Sequence, residues 1–305
     1  AHAQDAAASY PARPVRMVIP FPPGGSNDIL GRFIAQRLGE RLGQPVVVEN
    51  RAGADGMIGT EMVSRSDPDG YTLLIVSTSY SMNPAIHKTP FDPVKSLAPV
   101  AQIATGGNLI AVGAGVPFNT LGELLAYAKA NPGKLRYASS GIGGFNHFGG
   151  ELFNIVAGVK LEHVPYKGGG PAMVDVIGGQ VEVLISTLIQ AVPHIKSGKL
   201  RALAVGSAKR SSLFPDVPTI AEAGVPGYDG TIWWGILTRA GTPAAIIAKL
   251  NTEVNNVMRS PEAAKRLAAE GADPVFEPPA AFGKVIENDL AKYARIAREA
   301  NIKAQ

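Results

Sequence analysis

The chain contains no cysteine among its 305 residues. Disulfides, thiolate metal sites, iron–sulfur clusters and cysteine nucleophiles are therefore excluded. No uninterrupted apolar run reaches about 18 residues, the length at which a segment becomes a candidate for crossing a membrane. The longest candidate, 172–193, is interrupted by Asp175, Gly178-Gly179 and Glu182, so the sequence predicts no transmembrane segment.

Charge is also sparse, since charged residues make up 18% of the chain and the net charge is +4. The densest basic spots, Lys209-Arg210 and Lys265-Arg266, are short and are not interleaved with aromatic residues. Nucleic-acid-binding domains concentrate basic residues on one face or along one helix. We therefore expect no nucleic-acid partner.

Apolar residues are plentiful, at 46% of the chain. This content is enough for hydrophobic cores and excludes a disordered, coiled-coil or collagen-like chain. The length is that of two domains. Glycine (35 residues) and proline (24 residues) are in excess without a repeat period, which indicates many tight turns between elements.

The first residues carry a localisation signal. Ala1-His2-Ala3-Gln4 matches the A-x-A end of a secretory signal peptide, with cleavage near Ala3-Gln4. An arbitrary alanine-rich tail would have the same letters, so the pattern predicts export without proving it.

Short β-rich runs alternate with amphipathic helical patterns along the chain. The predicted strands are 15–19, 45–49, 71–76, 99–104, 108–113, 135–138, 161–164, 181–186, 200–205 and 231–237. The predicted helices are 26–43, 57–65, 121–130, 146–157, 171–178, 188–197, 243–258, 261–270 and 279–300, with a short helix after Pro218. Apolar strands separated by helices favour an α/β fold in which mainly parallel sheets are flanked by helices.

The order of these elements predicts two lobes. One lobe covers 10–105 and the other covers 106–230. The helices after 231 have no strands of their own to cover, so we expect 231–305 to return to the first lobe. Two strands would then cross between the lobes, with a ligand cleft between them.

Three loops rich in glycine or serine follow predicted strands. They are Gly24-Gly25-Ser26-Asn27-Asp28, Ser77-Thr78-Ser79-Tyr80-Ser81 and Ser139-Ser140-Gly141-Ile142-Gly143-Gly144-Phe145-Asn146-His147. Loops at the carboxyl ends of parallel strands present free backbone N–H groups that attract anions. None of the three contains lysine or arginine, so the expected anion is a small carboxylate and not a polyphosphate. Each loop alone could also be a plain turn between strand and helix.

Enzyme motifs are missing from the sequence. There is no G-x-x-x-x-G-K-[ST] phosphate loop, no G-x-G-x-x-G fingerprint at Gly141–Gly144 and no G-x-S-x-G elbow around Ser140. We therefore expect no cofactor. His147 and Glu151 could share a helix face as a metal pair, but no third ligand is near, and we predict no metal.

Aromatic residues are candidates for the pocket wall. Adjacent strand residues face opposite sides, so at most one of Trp233 and Trp234 contacts a ligand, and Trp233 is our candidate. Phe21 and Phe145 flank the glycine loops, although each could equally belong to a core.

Short segments in a fixed order, running almost from end to end, resemble one protein family. They are Tyr10-Pro11, Val18-Ile19-Pro20-Phe21, Gly24-Gly25, Asp28, Val48-Glu49-Asn50-Arg51, Gly53, Pro68-Asp69-Gly70-Tyr71-Thr72-Leu73, Ala128-Lys129-Ala130-Asn131-Pro132-Gly133-Lys134, His163-Val164-Pro165-Tyr166-Lys167-Gly168, Pro218-Thr219-Ile220-Ala221-Glu222-Ala223-Gly224 and Pro226-Gly227-Tyr228. Together they resemble the Bug-type (TctC-like) extracytoplasmic solute receptors of the tripartite tricarboxylate transporter family.

The resemblance implies a two-lobed periplasmic binding protein of the type II fold. Such a receptor is not an enzyme: it closes on a small carboxylate and delivers it to an inner-membrane permease, and we expect a monomer. Together with the loops, it predicts these ligand-binding residues: Phe21, Gly25, Ser26, Asn27, Asp28, Ser77, Thr78, Ser79, Ser139, Gly141, Gly143, Gly144, Phe145, Asn146, His147, Thr187 and Trp233.

Two departures from the family pattern bear on the ligand. Family members often carry an aspartate after the strand that here ends Leu184-Ile185-Ser186-Thr187, and a small residue where Phe145 stands. Both favour a mono- or dicarboxylate, including aromatic ones, over an amino acid. Two other functions stay open: a hydrolase or lyase that uses Ser139 or Ser140 with His147, and a sensor that presents its ligand-bound form to a signalling partner.

Overall fold

The structure, a computed structural model that describes residues 9–23, 26–269 and 271–303, has ten strands in this part of the chain. Nine of them lie at predicted apolar runs, and the short strand Ala272–Pro274 was not predicted. The strands are β1 (Val15–Ile19), β2 (Val46–Asn50), β3 (Thr72–Ser77), β4 (Leu97–Gly113), β5 (Arg136–Ser139), β6 (Glu162–Pro165), β7 (Val183–Thr187), β8 (Leu200–Val205), β9 (Thr231–Arg239) and β10 (Ala272–Pro274). The expected cleavage site at Ala3-Gln4 and the predicted ligand residue Gly25 lie outside the described residues.

Helices follow most of these strands, as the alternating pattern predicts. They are α1 (Ser26–Leu42), α2 (Met57–Ser64), α3 (Ser79–Ile86), α4 (Leu121–Ala130), α5 (Phe145–Ala157), α6 (Gly169–Ile177), α7 (Leu188–Lys196), α8 (Ala244–Met258), α9 (Pro261–Ala269) and α10 (Pro279–Glu299).

The chain divides into two compact units. Unit 1 comprises Ala1–Thr105, Trp233–Leu267 and Asp273–Ala294, and unit 2 comprises Gly106–Ile232, Ala268–Ala272 and Arg295–Gln305. Two of the boundaries fall inside β4 and β9. The sequence placed everything after 231 with the first lobe, whereas two short C-terminal segments group with unit 2.

In unit 1 the strand order is β2-β1-β3-β9-β4. β1 pairs in parallel with β2 and β3, and β9 pairs with β3 in the antiparallel direction. Because β1 and β3 are parallel neighbours, their carboxyl ends lie at one edge of the sheet. The polar residues that follow Ile19 and Ser77 are therefore brought to the same place.

In unit 2 the strand order is β8-β4-β7-β5-β6. β5 pairs in parallel with β6 and β7, whereas β4 pairs antiparallel with β7 and β8. A core of aliphatic residues that includes Leu109, Ala138, Val176 and Leu184 lies against this sheet. The predicted α/β class is confirmed, with β4 and β9 as antiparallel additions to the parallel strands.

Three local predictions need correction. The strands predicted at 99–104 and 108–113 form one continuous strand, β4, that passes through Gly106-Gly107. The segment from Ser79 is the first turn of a helix rather than a loop, and the residues after Pro218 form turns rather than a short helix.

Gly235, in the middle of β9, marks the tightest packing in unit 1. A Cβ atom at this position would lie 2.1 Å from Cζ of Phe282 and 3.1 Å from the carbonyl oxygen of Ala101. Phe282 is fully buried and its ring packs edge-on against Trp233. The glycine therefore lets α10 approach the sheet.

We expect Gly235→Ala to lower the free energy of unfolding by about 1–3 kcal/mol, because an overpacked core must shift its side chains or backbone. Gly122→Ala is the matched control: Gly122 is an exposed helical position where an added Cβ meets nothing closer than 3.8 Å. Removing a helical glycine should raise stability by roughly 0.5–1 kcal/mol. Urea denaturation measures both, and equal effects of the two substitutions would contradict this account.

Candidate functional site

Two serine side chains and one asparagine side chain form a hydrogen-bonded row at the end of β3 in unit 1. Ser77 Oγ lies 3.2 Å from Ser79 Oγ and accepts a 3.4 Å hydrogen bond from Asn27 Nδ2. Asn27 and Ser77 are nearly buried, while Ser79 is half-buried at the start of α3. The row brings together the residues that the sequence predicted from two separate loops.

Thr78 belongs to the scaffold and not to the surface of this row. It is fully buried, and its Oγ1 accepts the backbone N–H of Trp233 at 2.8 Å. Its own backbone N–H donates to the Trp233 carbonyl at 3.1 Å. A side chain enclosed in this way cannot touch a ligand, so its predicted role is corrected: it joins β9 to the end of β3.

Asp28 is likewise engaged by the protein. Its carboxylate accepts hydrogen bonds from Arg32 Nε at 3.0 Å and from Asn50 Nδ2 at 2.8 Å, and only 4% of the residue is exposed. Asn50 Nδ2 also donates to the Phe21 carbonyl at 3.0 Å. Asp28 therefore holds the turn between β1 and α1, and its charge is compensated by Arg32.

The two tryptophans of β9 have opposite positions, and the prediction chose the wrong one. Trp233 is 1% exposed, packs in the core of unit 1, and donates its indole N–H to Asp289 at 2.7 Å. Trp234 faces the other side of the sheet, where its Nε1 donates to Ser26 Oγ at 3.2 Å. Trp234, which is 6% exposed, is therefore the tryptophan on the side of the first loop.

Phe21 is half-buried and helps to line a small pocket with Ser79, Tyr80 and Asn83. Its ring lies over Gly56, where a Cβ atom would come within 3.1 Å of Cζ. Gly56 also has a φ of 90°, a conformation that favours glycine. Phe21 thus forms an apolar edge beside the polar row.

In unit 2 the predicted loop follows β5. Ser139, the last residue of β5, holds the start of this loop by hydrogen bonds. Ser139 is fully buried, and its Oγ lies 2.7 Å from Nε2 of His163 and 3.2 Å from both the nitrogen and the carbonyl oxygen of Gly141. Gly141 has a φ of 140°, in the region that glycine tolerates best. The predicted ligand contact of Ser139 is therefore corrected to a supporting role.

The end of the loop is fixed by its own side chains. The backbone N–H of Gly143 donates to Nδ1 of His147 at 3.0 Å, and Asn146 Nδ2 donates to Ser140 Oγ at 3.2 Å. The cap of α5 is Gly144, which supplies no side-chain acceptor to the first turn of the helix. Half-buried Phe145 opens the helix.

Two asparagines of the candidate loops have a buried side-chain oxygen that accepts no hydrogen bond. Within the described part of the chain, Asn27 Oδ1 and Asn146 Oδ1 are shielded from solvent and receive no hydrogen bond. An unmet buried acceptor costs about 1–3 kcal/mol. Each oxygen is therefore a place where a donor from water or a ligand would be stabilising.

The electrostatics of the unit 2 loop are those of neutral groups. Burial lowers the pKa of His147 to about 4, and burial together with the neighbouring His147 ring lowers the pKa of His163 to about 3. Burial raises the pKa of Glu151, whose carboxyl accepts a 2.6 Å hydrogen bond from the Tyr137 hydroxyl. Both imidazoles are uncharged near neutral pH.

Thr187 is half-buried at the junction of β7 and α7, and its side chain does not cap the helix. The neighbouring Ser186 donates to Gln190 Oε1 at 3.1 Å. The end of β7 therefore presents the hydroxyl groups of neutral residues.

Sequence reasoning missed His163, Tyr137 and Trp234. His163 lies in the segment His163–Gly168 that carried the family resemblance, so a signal existed, but its role depends on strand pairing. The parallel register of β5 and β6 places Tyr137 opposite His163. No local pattern in either segment specifies that pairing.

The hydrolase alternative needs Ser139 or Ser140 paired with His147, and neither pair is among the hydrogen bonds of the described residues. Ser139 Oγ bonds to His163, Ser140 Oγ accepts from Asn146, and Nδ1 of His147 accepts from Gly143. Across residues 9–23, 26–269 and 271–303, no three metal-ligating side chains come together. No helix in that same part of the chain is long and apolar enough to cross a membrane.

Solved structures of a periplasmic transporter and of a TctC solute binding protein share these helix-flanked α/β sheets, which is the fold class of periplasmic solute-binding proteins. Within that class, the chain belongs to the tripartite tricarboxylate transporter receptor family, which it matches over residues 30–302. The members of this family are binding receptors and not enzymes.

Several relatives are similar over nearly their whole length. Protein BugT of Bordetella pertussis is 39% identical over 97% of this chain and 91% of the relative. The structure of R. palustris Rpa4515 with adipate is 35% identical, with a TM-score of 0.79 over 96% of this chain and 99% of that one. MatC from Rhodopseudomonas palustris with bound malate is 30% identical, with a TM-score of 0.75 over 94% and 99% of the chains.

The lowered histidine pKa values predict that acid destabilises the fold. Unfolded histidine has a pKa near 6.5, so between about pH 4 and 6.5 the unfolded chain binds protons that the folded chain does not. We expect the histidine contribution to the free energy of unfolding to be at its maximum above pH 6.5 and to decrease as the pH drops towards 4. The loss at pH 5 should be on the order of 1–2 kcal/mol once solvent screening is allowed for.

Urea denaturation at pH 7.5 and pH 5.0 measures this loss. Glu151 shifts in the opposite sense, because its raised pKa makes protonation favour the folded state. The comparison is therefore made between the natural chain and His147→Phe, which should lose part of the pH dependence. An identical pH dependence in both proteins would contradict the prediction.

Proposed function

We propose that this receptor binds a small organic mono- or dicarboxylate, aromatic ones included, and delivers it to an inner-membrane permease of the tripartite tricarboxylate transporter type. The observation that carries the proposal is the neutral donor set of the candidate loops: hydroxyl, amide, imidazole and backbone N–H groups without lysine or arginine. The family to which the chain belongs and the ligands of two relatives support it.

Neutral donors are sufficient to hold a carboxylate. A hydrogen bond to a charged group contributes roughly 1.5–3 kcal/mol. Ser79 and Asn27 in unit 1, and Ser140 and Asn146 in unit 2, offer such donors on loops that are already hydrogen-bonded in place. A few bonds of this kind from the loops of either unit would hold a carboxylate without a cationic partner.

The remainder of the ligand should not carry an ammonium group. Asp28, the acidic residue of the first loop, is already compensated by Arg32, and β7 ends in the neutral residues Ser186 and Thr187. An ammonium group would meet only neutral acceptors such as Asn27 Oδ1, without a counter-charge, which is unfavourable when water is excluded. This reasoning favours dicarboxylates and aromatic acids over amino acids.

Two solved relatives contain dicarboxylates in their structures, adipate in Rpa4515 and malate in MatC. Their ligands differ in length and in hydroxyl substitution, so they indicate a class and not a single compound for this chain. Delivery further requires that the permease distinguish the ligand-bound receptor from the free one, since a ligand that favours no state shifts no equilibrium.

A thermal-shift screen tests the ligand class. We expect adipate, malate or benzoate to raise the melting temperature by several degrees, since ligand at 1,000 times its Kd stabilises by about 4 kcal/mol. Aspartate and alanine should have no comparable effect. Stabilisation by the amino acids alone would refute the proposal, and recovery of a chemically altered ligand would refute the receptor function.

The two tryptophans provide a matched pair for the site. Trp234→Phe removes the indole donor to Ser26, so we expect weaker carboxylate binding, by about tenfold, with little loss of stability. Trp233→Phe removes the donor to Asp289 in the core. It should instead lower the free energy of unfolding by about 1–3 kcal/mol and change Kd by less than twofold. Calorimetric titration and urea denaturation separate these effects, and the reverse pattern would exclude Trp234 from the site.

Transport is tested in the organism that carries the gene. Deletion should abolish high-affinity uptake of the identified carboxylate, and the natural gene should restore it. Intact uptake after deletion, together with a lost transcriptional response to the same carboxylate, would favour a sensor.

A further inference from the structure

Three aromatic rings stack beneath the unit 2 loop. The His147 and His163 rings are nearly parallel, with centroids 3.9 Å apart and an angle of 14° between planes, and Tyr137 stacks on the other side of His163 at 4.8 Å. The rings come from three elements: β5, β6 and the first turn of α5. His163 therefore forms the platform on which the ring of His147 rests.

One hydrogen bond determines which nitrogen of His147 carries its proton. The backbone N–H of Gly143 can only donate, and it points at Nδ1 of His147 at 3.0 Å. Nδ1 must therefore be the unprotonated acceptor, and in a neutral ring the proton is on Nε2. Gly143 has a φ of 75°, so a residue that tolerates the left-handed region is required to direct this N–H.

The surroundings keep the ring neutral. The titratable groups around it are His163 on β6, Tyr137 on β5 and Glu151 one turn further along α5, and the Glu151 carboxyl is bonded to the Tyr137 hydroxyl. A second positive imidazole 3.9 Å away would be repelled by the first. Burial lowers the pKa of His147 to about 4, in agreement with the geometry.

The Nε2–H of His147 is left available. Among the described residues, no hydrogen-bond partner of Nε2 is found. The atom is also absent from the buried polar atoms that are fully shielded from solvent and unpaired. The residue is 8% exposed. A single donor on a fixed ring is therefore left unpaired and is not fully shielded from solvent.

We propose that His147 is a specificity-determining residue, whose uncharged ring is held in one tautomer by Gly143 and presents Nε2–H to an acceptor oxygen of the ligand. His163 is its positioning residue, because it supports the ring by stacking and is itself tied to Ser139. The inference rests on the proposed carboxylate-binding function and deepens it.

Two consequences follow for recognition. A fixed neutral donor accepts carboxylate or carbonyl oxygens and rejects ammonium and amide N–H groups at the same place, because two donors cannot pair. The affinity for the carboxylate should also stay constant around pH 6.5, where an exposed histidine changes its charge. A receptor of this design keeps its affinity for a fully ionised carboxylate from about pH 6 to pH 8.

Nitrogen-15 spectra of histidine-labelled protein test the tautomer directly. We expect His147 to give the signature of a neutral ring protonated at Nε2, unchanged from pH 6 to pH 8. A ring protonated at Nδ1, or a signal that titrates in this range, would overturn the proposal. Gly143→Ala should mix the tautomers, because its φ strains an alanine and misdirects the N–H.

Calorimetric titration with adipate tests the donor. We expect His147→Phe to weaken binding at least tenfold, the lower end for a hydrogen bond to a charged group. His147→Gln places an amide N–H near the position of Nε2 and should restore part of the loss. His194→Gln, on α7 of the same unit, is the control and should bind as the natural chain does. Equal affinity of His147→Phe and the natural chain would refute the role of His147.

The role of His163 is tested by two substitutions that divide its contacts. His163→Phe keeps a ring beneath His147, whereas His163→Gln keeps a hydrogen-bonding group near Ser139 and removes the ring. We expect the phenylalanine variant to bind adipate within threefold of the natural chain and to keep the Nε2–H signature. The glutamine variant should bind more weakly and show mixed tautomers. Loss of binding with an unchanged tautomer in both variants would overturn the positioning role.

The outcomes separate the two proposals. Natural protein that binds none of adipate, malate and benzoate would overturn the proposed function and the ligand role of His147 with it. Natural protein that binds adipate with a pH-dependent affinity between pH 6 and pH 8, or independently of residue 147, would overturn only the inference.

Discussion

The antiparallel pairing of β9 with β3 is the constraint on which the rest of unit 1 depends. In this register Trp234 lies opposite Ser77, and the backbone of Trp233 is bonded twice to Thr78. A strand that arrives more than 150 residues later (a separation of 155) thereby closes the end of β3. Because successive strand residues face opposite sides, one indole enters the core beside Phe282 and the other reaches the first loop.

In unit 2 the loop after β5 is held by stacked aromatic rings and not by a strand from a distant part of the chain. The parallel register of β5 and β6 sets Tyr137 beside His163, and the first turn of α5 adds His147 to the stack. The polar edges of these rings hold Ser139 and Gly143. Burial keeps the imidazoles uncharged, so the loop has ordered donors without a positive charge that would attract every anion alike.

Much of the fold could be predicted because it is encoded locally. Apolar runs and amphipathic spacing located β1, α1 and the tail helices, and the polar segments 24–28, 77–81 and 139–147 were found from their position after strands. The errors share a cause. The single strand β4 was predicted as two strands, 99–104 and 108–113, and the segment 77–81 was predicted as a loop although α3 begins at Ser79. In both cases local propensity is outweighed by pairing and packing. Thr78 and Ser139 have the residue types of ligand donors, but neighbours from distant strands bury them.

The sequence by itself determined the α/β class, the family and the neutral chemistry of the loops, since these follow from residue types and their local order. Only the tertiary structure decided which residues of those loops are supports and which remain available. Trp233 and Trp234 have the same chemistry and adjacent positions, and they differ only in the face on which the sheet places them. His163 gains its role in the same way, because register and stacking arise from contacts between segments that the chain brings together only when it folds.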